Sequence, residues 1–268
     1  MGALILKLEG PLQSWGVDSR FTERKTQHEP TKSGVVGLMA AALGRRRDED
    51  VSDLASCYMN VRTDVPGEYL RDFQTAHKRH FDSSRQEWIH GTSKKDSLPL
   101  SQRYYLQGAV FVVSLEGDGT LLANVATALD HPAYPLYLGR RSCAPSSRIF
   151  MFYEEDAHAS NLLGSIPWQA TEAQARRMSY GQMSFSLASA PIGKVCLPLT
   201  RDVHANEDGS GIRSTVRDVP MSFSPYHRTY GWRDVITDTI AVDNPYPDLF
   251  KIPAHDPFAA LPTDEESS

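Results

Sequence analysis

The chain has no apolar run near the roughly 20 residues a membrane-spanning helix needs, and Met1-Gly2-Ala3-Leu4 leads into a strand pattern with no basic leader. These absences predict an unexported, cytoplasmic protein with no membrane partner. Cysteine is scarce: Cys57, Cys143 and Cys196 stand far apart and form no Cys-x-x-Cys or Cys/His spacing. Neither a disulfide scaffold nor a zinc site is indicated, and three reduced thiols are expected. There is no Walker-type Gly-x-x-x-x-Gly-Lys-Ser/Thr, no His-Glu-x-x-His, no Gly-x-Ser-x-Gly and no internal repeat. No metal or other cofactor is therefore expected. A strongly basic balance is missing as well, since the net charge is −5.

What is present is a folded composition, 40% hydrophobic and 23% charged over 268 residues, enough to bury a sizeable core. The charge is unevenly spread. Residues 1–148 carry 19 Lys and Arg against 17 Asp and Glu, whereas residues 149–268 carry 9 against 16. Within the first half the cations cluster at Arg20/Arg24/Lys25/Lys32, Arg45-Arg46-Arg47, His77-Lys78-Arg79-His80, Lys94-Lys95 and Arg140-Arg141 with Arg148. Such clusters can neutralise a few phosphates on an acidic protein, and each alone is equally an ordinary solvated surface.

Ala3–Glu9, bounded by Gly10-Pro11, reads as a buried strand. Pro30–Gly44 reads as a helix, with Thr31 or Ser33 to cap it, an apolar stripe through Val35, Leu38, Met39, Ala42 and Leu43, and Gly44 just past its end. Cys57–Val65 and Tyr104–Leu115 read as strands, Thr120–Leu129 as a helix and Ile149–Tyr153 as a further strand. The order strand, helix, strand, strand, helix, strand predicts an α+β, ferredoxin-like (RRM-like) domain over residues 1–155, with helices on one face of a four-stranded sheet. A smaller β-rich C-terminal subdomain is expected over 156–243, with strands at Met183–Ala188, Gly193–Leu199 and Met221–Tyr226. Residues 244–268, with five prolines and an acidic end, are expected to be extended or disordered.

Pro66–Arg103 is far longer than a median connection of about 4–6 residues. Its middle mixes Lys78, Arg79, Arg85, Lys94 and Lys95 with Phe81, Trp88 and three histidines. Arginines pair with phosphate and planar rings stack on bases, so this insertion is a candidate arm for single-stranded RNA; a surface loop is the plain alternative. Two further grips have a physical logic. At Lys32-Ser33-Gly34 a helix start offers free N–H groups, a lysine charge and a glycine that admits a phosphate. At Gly139-Arg140-Arg141-Ser142 a tight turn presents two guanidinium forks. A metal-independent ribonuclease would need groups such as His77, Lys78, His80 or Tyr104 beside the reacting phosphate; residues this common form no convincing constellation, and no catalytic residue is assigned.

Several stretches together resemble a known family. They are Leu-x-Gly-Pro-Leu-Gln-Ser-Trp-Gly at Leu8–Gly16, Pro-Thr-Lys-Ser-Gly-Val-Val-Gly-Leu at Pro30–Leu38, Leu70-Arg71-Asp72-Phe73, Tyr137–Cys143 and Val216–Met221. The resemblance is to the CasD family, the fifth-family Cas subunit of the type I-E CRISPR surveillance complex Cascade, and spans roughly residues 3–235. It implies a non-catalytic subunit that holds the 5′ handle of CRISPR RNA and caps one end of the backbone filament. The implied partners are a CasC-type backbone subunit, a CasA-type large subunit and target DNA at the PAM-proximal end. It also implies that the insertion is a β-hairpin thumb, here about residues 77–99, lying over the guide. Candidate RNA-binding residues are Lys32, Ser33, Gly34, Arg71, Lys78, Arg79, Arg85, Trp88, Lys94, Lys95, Arg103, Gly139, Arg140, Arg141 and Ser142. Cleavage of precursor RNA is the alternative function.

Overall fold

The computed structural model describes residues 1–16, 22–91, 97–98, 100–180, 193–204, 211–224 and 226–250. Its frame begins with β1 (Gly2–Glu9), whose Leu4, Leu6 and Leu8 enter one core cluster while Ile5 enters another on the opposite face. A strand buried on both faces reads as an unbroken apolar run, which is why Ala3–Leu6 shows no alternation. Helix α1 (Lys32–Ala42) is capped by Thr31, whose Oγ1 accepts from the Gly34 N–H at 3.2 Å. A short helix, α2 (Ser52–Ala55), leads into β4 (Tyr58–Val65), and β9 (Val110–Gly117), α3 (Gly119–Asp130) and β10 (Phe150–Glu155) follow later in the chain. Asp118 caps α3 by accepting from the Leu121 N–H at 2.8 Å.

These strands lie side by side in the order β10, β1, β9, β4, every pair antiparallel. The sheet does not stop there. Strand β11 (Lys194–Asp202) pairs with β4, and β13 (Thr229–Asp243) and β12 (Ile212–Ser222) follow, making seven strands. The C-terminal strands thus extend the first sheet, because β4 offers a free edge to Leu199–Arg201. Helices α1 and α3 cover one face. Helices α4 (Ala159–Ser165) and α5 (Glu172–Tyr180) cover the other, where Leu163, Trp168 and Ala175 pack on Ile5, Val110, Val112 and Leu197. The two helices expected within residues 1–155, α1 and α3, share one face, and the second face is covered from beyond that span: Val110 and Val112 are as apolar as Phe111 and Val113, and both sets need cover.

Two glycines create the insertion. Gly67 and Gly108 both adopt positive φ, +73° and +66°, and a side chain at Gly67 would meet the Gln107 carbonyl at 2.9 Å. At this pair of bends, β4 passes into β5 (Glu68–Gln74) and β8 (Ser101–Gln107) passes into β9. The single strand expected over Tyr104–Leu115 is broken here. Strands β5 and β8 pair with each other and leave the central sheet, joined along β8 by β2 (Leu12–Gln13) and β3 (Glu23–Arg24). Farther out, β6 (Arg79–Asp82) and β7 (Glu87–His90) close a second hairpin. The thumb expected at 77–99 is thus the outer part of a longer hairpin whose base starts at Glu68.

The segment after Asp243 begins in an ordered way: Tyr246 and Phe250 lie 6.5 and 5.9 Å from the Trp168 ring. Expectations for Met183–Ala188 and for 251–268 fall outside the described residues. All three cysteines are free, and burial pushes the Cys57 thiol up to about 11. Among the described residues no helix is long and apolar enough to cross a membrane.

Candidate nucleic-acid interface

The Gly-Arg-Arg loop is locked against the first strand's exit. Leu138 is fully buried, its carbonyl accepts from the Ser14 N–H at 3.1 Å, and its own N–H donates to Cys143 O at 2.7 Å. Gly139 sits at φ +85°, and a Cβ there would lie 1.9 Å from the Ser14 carbonyl oxygen. Only glycine fits. Its role is thus close backbone approach within the protein.

The two arginines have different fates. Arg140 donates to the carbonyls of Tyr104 at 3.2 Å, Arg24 at 2.8 Å and Lys25 at 3.4 Å, and its guanidinium stands 4.9 Å from the centre of the Tyr105 ring. It ties the loop to β3 and β8, so its fork is already engaged. Arg141 and Ser142 are exposed; Arg141 makes no ion pair or hydrogen bond among the described residues. Arg148 is bound by both oxygens of Asp130, as Arg45 is by Asp53. Of the three guanidinium groups around this loop, Arg141 alone has no partner among the described residues.

The helix start is also spoken for. Lys32 is buried, 6% exposed, and its ammonium pairs with Asp202 at 2.8 Å. Its N–H, a free donor at the head of α1, points at Asp218 Oδ2, 2.7 Å away. Arg233 grips Asp218 through Nε at 2.7 Å and Nη2 at 2.9 Å, and also binds Asp202. Burial alone would lower the Arg233 pKa, but the bond to Asp218 and the charge of Asp202 raise it above the ordinary arginine value. Burial likewise raises the carboxyl of neighbouring Glu29, against the lowering effects of a hydrogen bond from Thr200 and of the Arg233 charge. The anion at this helix N-terminus is a side chain of the protein, the arrangement the helix dipole favours. Ser33 is buried, with its Oγ 3.4 Å from the capping hydroxyl of Thr31, and a Cβ on Gly34 would strike the Trp15 ring at 2.7 Å.

The insertion is the opposite case. Arg71, Lys78, Arg79, Arg85 and Trp88 are all exposed. Arg71 and Lys78 have no side-chain partner among the described residues, Arg79 reaches only the Trp88 carbonyl at 3.4 Å, and Arg85 lies 3.8 Å from Asp82. Phe81 and Trp88 are a cross-strand pair, rings 5.5 Å apart and edge-on, about half exposed. Arg103, in β8, is half-buried with an unpartnered Nε. Lys94 and Lys95 fall outside the described residues. The candidate acid–base groups do not converge: Tyr104 pairs with Arg71 at the hairpin base, while His80 is in β6 toward the tip.

The motif stretches meet in one region. Ser14 holds Leu138, Trp15 packs on Gly34, Lys32 meets Asp218, and Leu70 pairs with Tyr105 beneath Arg140. A family model described as CRISPR-associated protein (Cas_Cas5) matches residues 3–236. The chain belongs to the Cas5 family. It is 29% identical over 241 residues to the CRISPR system Cascade subunit CasD of Escherichia coli (strain K12), covering 83% of this chain and 90% of that one. Its structure resembles a chain of a CRISPR RNA-guided surveillance complex, with a TM-score of 0.67 and 27% identity over 90% of this chain and 91% of that one. A second likeness is to a protein described as "Crystal structure of Cas protein", with a TM-score of 0.59 and 33% identity over 89% and 94%. For a Cas5 chain, the residues that sequence reasoning missed are Asp202, Asp218 and Arg233. Only Asp218 had a signal, the Val216–Met221 stretch, whose partner in space no spacing rule reveals.

Proposed function

We propose that this Cas5 chain is a non-catalytic subunit of a Cascade-type surveillance complex that holds the 5′ handle of CRISPR RNA and caps one end of the backbone. CasC-type and CasA-type subunits would be its neighbours, with target DNA reached through the complex at the PAM-proximal end. The core carrying the site is read as ferredoxin-like, supported by the β-α-β-β-α-β order and the strand sequence β10, β1, β9, β4. The observation that carries the proposal is the hairpin from Glu68 to Gln107. Its strands stand outside the central sheet, its sequence contains seven Lys and Arg against five Asp and Glu, and Arg71 and Lys78 meet no carboxylate among the described residues. Unpaired cations beside exposed rings suit single-stranded RNA, whose backbone takes charge and whose bases stack.

The test is retention of a guide RNA bearing its 5′ handle by the purified full chain at two salt concentrations. Binding should weaken with salt at a slope of about −0.7 per phosphate neutralised, and the RNA should remain intact without metal. Failure to retain the handle would overturn the proposal. Metal-independent cleavage of precursor RNA would support the ribonuclease instead, though the separation of Tyr104 from His80 argues against a shared site.

A further inference from the structure

The base of the hairpin sorts its side chains by chemistry. Along β5, Tyr69, Arg71 and Phe73 alternate with Glu68, Leu70, Asp72 and Gln74, so the two sets project from opposite faces. Both carboxylates of the strand fall in the second set. The first set carries two rings, Tyr69 at 52% and Phe73 at 58% exposed, with Arg71 between them, exposed and without a side-chain partner among the described residues. Across the strand pair, Arg71 stands opposite Tyr104, and Phe73 opposite Gln102. The carboxylate nearest this face in register is Glu23, at the far edge beside Gln102.

We propose that Tyr69, Arg71 and Phe73, backed by Tyr104, form a stacking platform for consecutive bases of single-stranded RNA. This rests on the RNA-holding role above and assigns it a second surface, separate from the cations of the outer hairpin. Neighbouring groups on one face of a strand are roughly 6.6 Å apart, about twice the 3.4 Å rise of stacked bases. A base slid between Tyr69 and Arg71, and another between Arg71 and Phe73, would each touch a planar group on both sides. The guanidinium adds charge where the backbone passes. A protein partner is the competing occupant, with Phe73 as its anchor; a guanidinium set between two rings, with both carboxylates of the strand on the opposite face, favours an anionic chain of planar bases. The platform also lies next to the fixed part of the molecule: His28 meets the Tyr69 ring edge-on at 5.2 Å, and Ser14 Oγ donates to the Tyr104 carbonyl at 3.1 Å.

The experiment is an abasic scan. Handle RNAs in which one base at a time is replaced by an abasic ribose are titrated against the full chain and against a Tyr69→Ala/Phe73→Ala variant. Wild type should lose ~10-fold or more at two neighbouring positions. The double variant should bind the intact RNA correspondingly less and lose nothing further at those positions, whereas Tyr69→Phe should behave as wild type. Both rings are exposed, so an unchanged melting temperature of the double variant is the folding control. Identical scans for wild type and double variant would overturn the platform, and so would unchanged RNA binding with lost assembly onto a neighbouring subunit. If wild type fails to retain the intact handle, it is the RNA-holding role that falls.

Discussion

The head of α1 and the hairpin are both basic in sequence, yet they treat their cations in opposite ways. Lys32 and Arg233 are buried against Asp202 and Asp218, and Arg140 is spent on three carbonyls. Arg71 and Lys78 stand in solvent. Buried charge of this kind costs desolvation and is tolerated only when fully paired; its return here is placement, since it holds the head of α1 against β11, β12 and β13. Exposed charge costs little and remains available to a ligand. A cation cluster in a sequence is thus two different things, depending on whether carboxylates from distant strands reach it.

The contrast can be broken most forcefully at its buried end. Asp218→Ala would strand Arg233 and leave the Lys32 N–H unsatisfied, and should cost roughly 3–5 kcal/mol in urea unfolding; a loss below 1 kcal/mol would deny the cluster its fastening role. Gly139→Ala forces a Cβ onto the Ser14 carbonyl at positive φ and should cost at least about 2 kcal/mol, read as a lowered melting temperature. Arg140→Ala should cost about 1–3 kcal/mol by releasing carbonyls of β3 and β8, and its effect on RNA affinity should follow from that loosening. Arg141→Ala, by contrast, should leave stability within about 0.5 kcal/mol while lowering handle affinity and the salt slope. Equal stability losses for Arg140 and Arg141 would erase the distinction within the loop.

The smallest effect concerns Glu29. Its folded pKa is raised by burial, so the stability it contributes is full below the unfolded value and is lost as pH rises through the folded value. Glu29→Gln should therefore be at least as stable as wild type at neutral pH, with the advantage fading toward about pH 4. Urea midpoints measured at both ends of that range check the sign.

Much of the frame was legible because local rules govern it. Capping by Thr31, the Leu38 stripe and the apolar runs at Ala3–Leu8 and Ala109–Val113 follow from neighbours in the chain. The bend at Gly108 was hidden inside Tyr104–Leu115, since a strand residue carries no mark of which sheet it joins. Strand β13, with its alternating Val235, Thr237 and Thr239 set against Ile236, Ile240 and Val242, carried a period-2 signal that went unread. At the interface, the residue types of the insertion pointed to RNA, but the alternation of Tyr69, Arg71 and Phe73 gains meaning only once both faces of β5 are known.

The sequence by itself determined the strands near Ala3–Glu9, Cys57–Val65 and Ile149–Tyr153 and the helices near Pro30–Gly44 and Thr120–Leu129, because capping and apolar period are local properties. Tertiary structure alone decided which cations are free. Ion pairing between Lys32 and Asp202, or Arg233 and Asp218, depends on strands that meet only after the sheet has grown past β4, and electrostatic energy depends on distance through space and on burial.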